Sequence, residues 1–258
     1  MSAATHATHI RRIDLGDAMP GVAEIVLDRP DKRNAQTPAM LAEIARLAHE
    51  ISADPSIRAI VVRGEGPVFC AGFDLELCRD DATVLPDLLR NLSAAIRALR
   101  RARQPVVLAA RGAAIAGGCA LFSGADLVVS HGSAKLGYPA VLLGISPAVT
   151  GPGLRQSVTD PAARRALLLP ELLSGEEARR LGLVHQLVDT PEDVVPRAQI
   201  EASKFAQKPP DAIAATKRWL NELDGSLDDA AFDAALQASL DLAGSDEQRQ
   251  LLDAALRR

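Results

Sequence analysis

The apolar positions of this chain fall into short runs separated by amphipathic stretches. Residues 22–27, Val-Ala-Glu-Ile-Val-Leu, read as a strand, and the polar segment 28–34 as the turn that ends it. Thr37 and Pro38 then supply an N-cap and a first-turn proline. The spacing of Met40, Ile44, Leu47 and Ile51 predicts a helix to about residue 53. A second strand is predicted over 57–62, followed by a loop over 64–73 and a short helix opening at Asp74. Residues 86–103 carry Leu88, Leu89, Leu92, Ile96 and Leu99 on one helical face. A buried strand (105–110), a crossover (111–116), a helix (117–124) and strands at 126–130 and 135–137 follow. A loop rich in glycine and proline spans 138–153. Helices are predicted at 161–169, 175–181, 191–206, 209–223 and 227–258, the last broken near Gly244, with one strand at 184–188. Strands alternating with helices predict an α/β fold with parallel pairing. No repeat or low-complexity linker divides it.

Composition narrows the function. The 258 residues, 48% of them hydrophobic and 24% charged, are long enough for a large core and exclude disordered and fibrous classes. The net charge is −4, with one Trp, one Tyr and five Phe. Nucleic-acid binding wants basic surface and stacking aromatics, so no nucleic-acid partner is expected. Cys70, Cys78 and Cys119 are too few for a disulfide framework and match no zinc spacing, so they read as buried small residues in a reducing, cytoplasmic setting. The first residues, Met-Ser-Ala-Ala-Thr-His-Ala-Thr-His, lack the apolar run of a signal peptide. The least polar stretch, 112–125, is too short for a bilayer, so no membrane partner is expected.

Common chemical templates fail. There is no phosphate-binding Gly-x-x-x-x-Gly-Lys, no complete dinucleotide fingerprint and no Gly-x-Ser-x-Gly elbow. His6, His9, His49, His131 and His185 do not cluster at metal spacing, so no metal is expected. Two glycine-bearing turns remain: Phe69-Cys70-Ala71-Gly72-Phe73-Asp74-Leu75, and residues 112–119 with Gly117-Gly118. Small residues let a ligand approach the backbone closely. Two such turns can aim two backbone amides at one oxygen, forming an oxyanion hole.

These segments, taken in order, resemble the crotonase (enoyl-CoA hydratase/isomerase) superfamily over nearly the whole chain, from about Ile10. Leu27-Asp-Arg-Pro-Asp-Lys-Arg-Asn-Ala35 is similar to the family's first CoA-contacting segment. Val68-Phe-Cys-Ala-Gly-Phe-Asp-Leu75 is similar to its first oxyanion loop, and residues 104–119 to its strand and second oxyanion turn. Residues 126–130, 135–139, 173–178 and 181–184 continue in register. The resemblance implies a ClpP-like spiral of ββα units over 1–200 that binds acyl-CoA, and a helical C-terminal region, 201–258, that trimerises, with a homotrimer or hexamer as the assembly. It implies an acyl-CoA thioester as ligand, coenzyme A entering as part of the substrate and no separate cofactor. It places the Ala71 and Gly117 amides on the thioester carbonyl, with Gly72, Phe73, Ala120 and Ala140 around the acyl group and Ala35 beside CoA. Lys32 and Arg33 stand where they can meet CoA phosphates or simply form a solvated turn. Relatives place a basic residue near the C-terminus on a neighbouring subunit's CoA, and Arg257 and Arg258 are nearest to that place.

The chain departs from the family at two positions. Hydratases of the family carry one glutamate three residues after the oxyanion glycine, where this chain has Ala120. They carry a second after Gly-x-Pro, where it has Ala140. The following loop, 143–151, offers no acid either. General acid–base catalysis contributes about 10²–10⁴ per group, so a two-glutamate hydration is not expected. Asp74, Glu76 and Tyr138 are named as replacement proton-transfer groups, beside Ser146 and Thr150. Each also has a structural reading: Asp74 as N-cap, Glu76 as a first-turn acid, Tyr138 as a buried hydroxyl, Ser146 and Thr150 as loop hydrogen-bonders. Two functions stay open, enolate chemistry of the lyase or isomerase kind and acyl-CoA binding without turnover. A Clp-type serine protease is disfavoured, because neither Ser123 nor Ser146 has an assignable histidine.

Overall fold

The computed structural model describes residues 8–257; the readings made for His6, for Arg258 and for the residues before position 8 lie outside them. Its main sheet has six strands: β1 (Ile10–Asp14), β2 (Val22–Leu27), β3 (Ala59–Gly64), β4 (Val106–Ala109), β6 (Leu127–His131) and β9 (Gln186–Val188). They lie in that spatial order; β1 pairs antiparallel with β2, and every other pair is parallel. A second sheet joins β5 (Ala113–Ile115), β7 (Lys135–Gly137) and β8 (Leu173–Ser174).

Strands covered on both faces read as continuous apolar runs, and the two hydrophobic clusters show why. Ile25, Leu27, Ile60, Val62, Val106 and Leu108 face α1 (Pro38–Ala53) and α3 (Val84–Arg101). Their alternates Val22, Ala59, Val61, Val107 and Val129 face Val194, Ala198 and Ala202 of α8 (Val194–Ala206). Helix α1 begins as its sequence indicates: Thr37 accepts from the Met40 N–H, and Pro38 occupies the first turn. The remaining helices are α2 (Leu75–Asp80), α4 (Gly117–Ala120), α5 (Gly151–Ser157), α6 (Asp160–Leu168), α7 (Gly175–Leu181), α9 (Pro210–Leu223), α10 (Asp229–Leu240) and α11 (Asp246–Leu256).

Several elements depart from expectation, among them the two-residue strand β8, which was not predicted. β1 was not anticipated: it is an edge strand whose Arg11 pairs with Asp28 and Glu65, and whose Arg12 pairs with Asp14, Glu50 and Asp54. Charges of this kind protect a sheet edge and mask the alternation that marks a strand. The predicted crossover contains β5, which closes the second sheet. The predicted loop 138–153 ends in α5 and holds two 3₁₀ turns, Pro139–Leu143 and Pro147–Thr150. No described helix is long and apolar enough to cross a membrane.

Two histidines, the buried His131 and the partly buried His185, tie the strand ends together. The His131 Nε2 accepts from the Gly112 N–H at 3.0 Å, and the His185 Nδ1 from the Val128 N–H at 2.9 Å. Burial lowers both below the ordinary 6.5. The unfolded chain therefore takes up these protons first as pH falls. The stability present above pH 6.5 is lost through the interval down to the folded values. Urea unfolding midpoints are expected to drop between pH 7.5 and pH 5.5, and by less in His185→Gln; equal midpoints in the native chain would contradict this role.

Candidate active site

The candidate site is a cleft open to solvent, with a cavity volume of about 120 Å³. Four segments build it. Ala71, Gly72, Phe73 and Leu75 come from the loop after β3, and Leu89 and Leu92 from α3. Ile115, Ala116 and Gly117 come from the β5–α4 junction. Tyr138, Pro139, Ala140 and residues of the 143–150 loop close the far side. Thus both glycine-bearing turns and the Gly-x-Pro segment meet in one place. Among the described residues, the lining contains no Asp, Glu, His, Lys, Arg or Cys.

The backbone is specialised at the junction. Ala116 has φ +46°, a left-handed conformation that costs a non-glycine residue about 1–3 kcal/mol. It is held there by its N–H on the Gly137 carbonyl at 2.8 Å. The next N–H, that of Gly117, has no acceptor among the described residues. Gly117 must be glycine, because a Cβ would overlap Gln36 Oε1 and approach the Phe73 ring to 2.8 Å.

The second expected donor, the Ala71 N–H, is already committed to the Arg33 carbonyl at 3.0 Å. Gly72 explains the change. Its φ of +97° turns the chain, so that the Ala71 and Asp74 N–H groups both face the 33–36 segment. The Phe73 N–H is left without an acceptor among the described residues, on a residue that lines the cleft. The open amides on this wall are therefore those of Phe73 and Gly117.

The replacement proton-transfer groups are not placed for that work. Asp74 is buried, lies outside the lining and binds Arg29 Nη1 at 2.6 Å. It stands at the N-cap position of α2 but makes no side-chain cap bond, because the arginine holds it. Glu76 points outward and pairs with Lys32 at 3.0 Å. Tyr138 presents its ring to the cleft, but its O–H donates to the Cys119 carbonyl at 3.2 Å. Burial raises that phenol well above the usual value of 10. The Ser146 Oγ accepts from the Ala148 N–H, as a loop-stabilising hydroxyl does. Thr150 lines the cleft.

Of the two alanines in the glutamate positions, Ala140 lies on the lining, and Ala120 is fully buried behind it. The 32–35 segment runs beside the cleft rather than within it: Lys32 and Arg33 are exposed, and the Ala35 carbonyl accepts from Arg29. Burial pushes the Cys70 and Cys119 thiols up to about 12, so neither is a nucleophile at neutral pH. Sequence reasoning missed the apolar wall of Leu89, Leu92, Leu143, Ile145 and Val149, because apolar side chains carry no chemical signature. It also missed Gln36, whose only signal was a polar residue immediately before a helix cap.

Known proteins are similar to this chain. The enoyl-CoA hydratase/isomerase family model matches residues 17–250. The chain is 32% identical to the 1,2-epoxyphenylacetyl-CoA isomerase of Escherichia coli over 219 residues, covering 83% of each chain. It is also 32% identical to the 2,3-dehydroadipyl-CoA hydratase of Escherichia coli, covering 84% of this chain and 81% of that one. An enoyl-CoA hydratase/isomerase crystal structure from Mycobacterium paratuberculosis superposes with a TM-score of 0.86 at 29% identity, covering 96% of this chain and 98% of that one. The chain belongs to the enoyl-CoA hydratase/isomerase family and has the crotonase fold.

Proposed function

We propose that the protein binds an acyl-CoA thioester and stabilises its enolate, with no side chain in the cleft to shuttle a proton. The observation that carries this reading is the lining itself: two open backbone amides in a cleft free of carboxylates. The Gly117 and Phe73 amides would take the thioester carbonyl. CoA would leave past Ala35, where Lys32 and Arg33 are exposed to meet phosphates. Leu89, Leu92, Leu143, Ile145 and Val149 would surround the acyl chain.

Hydration needs a base for water and an acid for the α-carbon, and Ala120 and Ala140 supply neither. Decarboxylation needs less. In a 2-carboxyacyl thioester, the bond from the α-carbon to the carboxylate breaks and CO₂ leaves. Its electron pair passes into an enolate whose oxygen the two amides hold, and water protonates the α-carbon. An apolar cleft favours loss of a desolvated carboxylate. A second reading, acyl-CoA binding without turnover, is favoured by the absence of any carboxylate, imidazole, amine or thiol on the described lining. Malonyl-CoA separates the two: release of CO₂ and acetyl-CoA supports the first, and saturable binding without release supports the second. Failure of acyl-CoA thioesters to bind at all would overturn both.

The assembly is part of the same proposal. Trp219, Leu220 and Leu223 on α9 are more than half exposed, an apolar face within the helical region 201–258 that fits self-association as a trimer or hexamer.

A further inference from the structure

We propose that Gln36 is a positioning residue that fixes the two carbonyl-binding amides relative to each other; the proposal rests on reading Gly117 and Phe73 as the donors to a thioester carbonyl. Gln36 touches both donor-bearing segments. Its backbone N–H donates to the Gly72 carbonyl at 2.7 Å, and its carbonyl accepts from the Asp74 N–H at 2.9 Å. Phe73 is clamped between those two bonds. Its side-chain Nε2 reaches across the cleft wall and donates to the Gly117 carbonyl at 3.2 Å. One residue thus joins the 72–74 turn to Gly117, which lies 81 positions from Gln36 in sequence.

Stability does not explain a glutamine here. The side chain is fully buried, and its Oε1 has no partner, lying against the place a Gly117 Cβ would fill. A buried unpaired polar atom is destabilising, and an apolar side chain of similar size avoids it. What methionine or leucine at this position cannot do is hold the Gly117 carbonyl. Two donors meet one oxygen only if their spacing is fixed before the ligand arrives, and small misplacements are costly in such sites.

The test uses crotonyl-CoA labelled with ¹³C at the thioester carbonyl, with free CoA as control. The carbonyl stretch is read by infrared difference spectroscopy on the native protein and on Gln36→Met. The native protein is expected to lower the carbonyl frequency on binding. Q36M is expected to melt no lower than the native protein and to bind free CoA equally well. It should bind crotonyl-CoA about tenfold more weakly, about 1.4 kcal/mol, and lose most of the carbonyl shift. A full shift in Q36M would overturn the proposal, as would an equal loss of affinity for CoA and crotonyl-CoA. Absence of any shift in the native protein would instead overturn the reading of the two amides. Gln36→Leu carries the same test if Q36M does not fold.

Discussion

Gly117→Ala is expected to slow any enolate-forming turnover by about 10²-fold or more and to weaken thioester binding while free CoA still binds. The reason is local. The new methyl group would overlap Gln36 Oε1 and press on the Phe73 ring, whose carbons stand 2.8 and 3.0 Å from the Cβ position. Neither neighbour can withdraw freely: Gln36 is fully buried and bonded to the Gly117 carbonyl, and Phe73 is clamped by its flanking peptides. The 116–118 backbone must move, and the open Gly117 N–H moves with it. Loss of one donor from an oxyanion hole costs about 10²–10³ in rate in enzymes that depend on it. The strain also lowers stability by about 1–3 kcal/mol, as small-to-large changes in packed sites do. Thermal melting and binding measured on one preparation separate the two effects. A variant that holds crotonyl-CoA as tightly as the native protein would show that Gly117 does not meet the carbonyl.

The largest expected change in stability is far from the cleft. Lys217 of α9 is buried, and its ammonium donates to Asp126 Oδ2 at 2.7 Å and to the Gln104 carbonyl at 2.9 Å. The same Asp126 oxygen accepts from the Val106 N–H at the start of β4. Burial lowers the Lys217 pKa, and the Asp126 charge opposes that fall. Asp126→Ala would leave a buried ammonium without its counter-charge and a strand N–H without its acceptor. Breaking a buried pair from one side costs about 3–5 kcal/mol, whereas replacing both partners with apolar groups is often near neutral. Urea unfolding should show D126A as severely destabilised, and the D126A/K217M double variant as substantially recovered. If the double variant were as unstable as the sum of the single variants, the two residues would not be coupled.

The site was legible where chemistry depends on backbone shape. Gly72, Phe73, Gly117 and the Tyr138-Pro139-Ala140 segment all carry motif residues, and the fold brings them to one cleft. Which amide of the first turn stands open was not legible. It turns on the φ of Gly72, which decides whether the Ala71 or the Phe73 amide faces outward, and no side chain reports that angle. Asp74 and Glu76 looked available because their partners, Arg29 and Lys32, are 45 and 44 residues away in sequence. The fold followed the same division. β2, β3, β4 and β6 lie in a covered sheet and read as apolar runs. β1 and β5 are an exposed edge and a three-residue strand, too charged or too short to show a period.

The most direct measurement is crotonyl-CoA binding and hydration in the same sample of purified protein. Saturable binding without hydration is the expected result, since the cleft offers amides for the carbonyl and no carboxylate for water. Hydration at a rate ordinary for the family would contradict it, and would mean that a group outside the lining reaches the substrate and moves the proton.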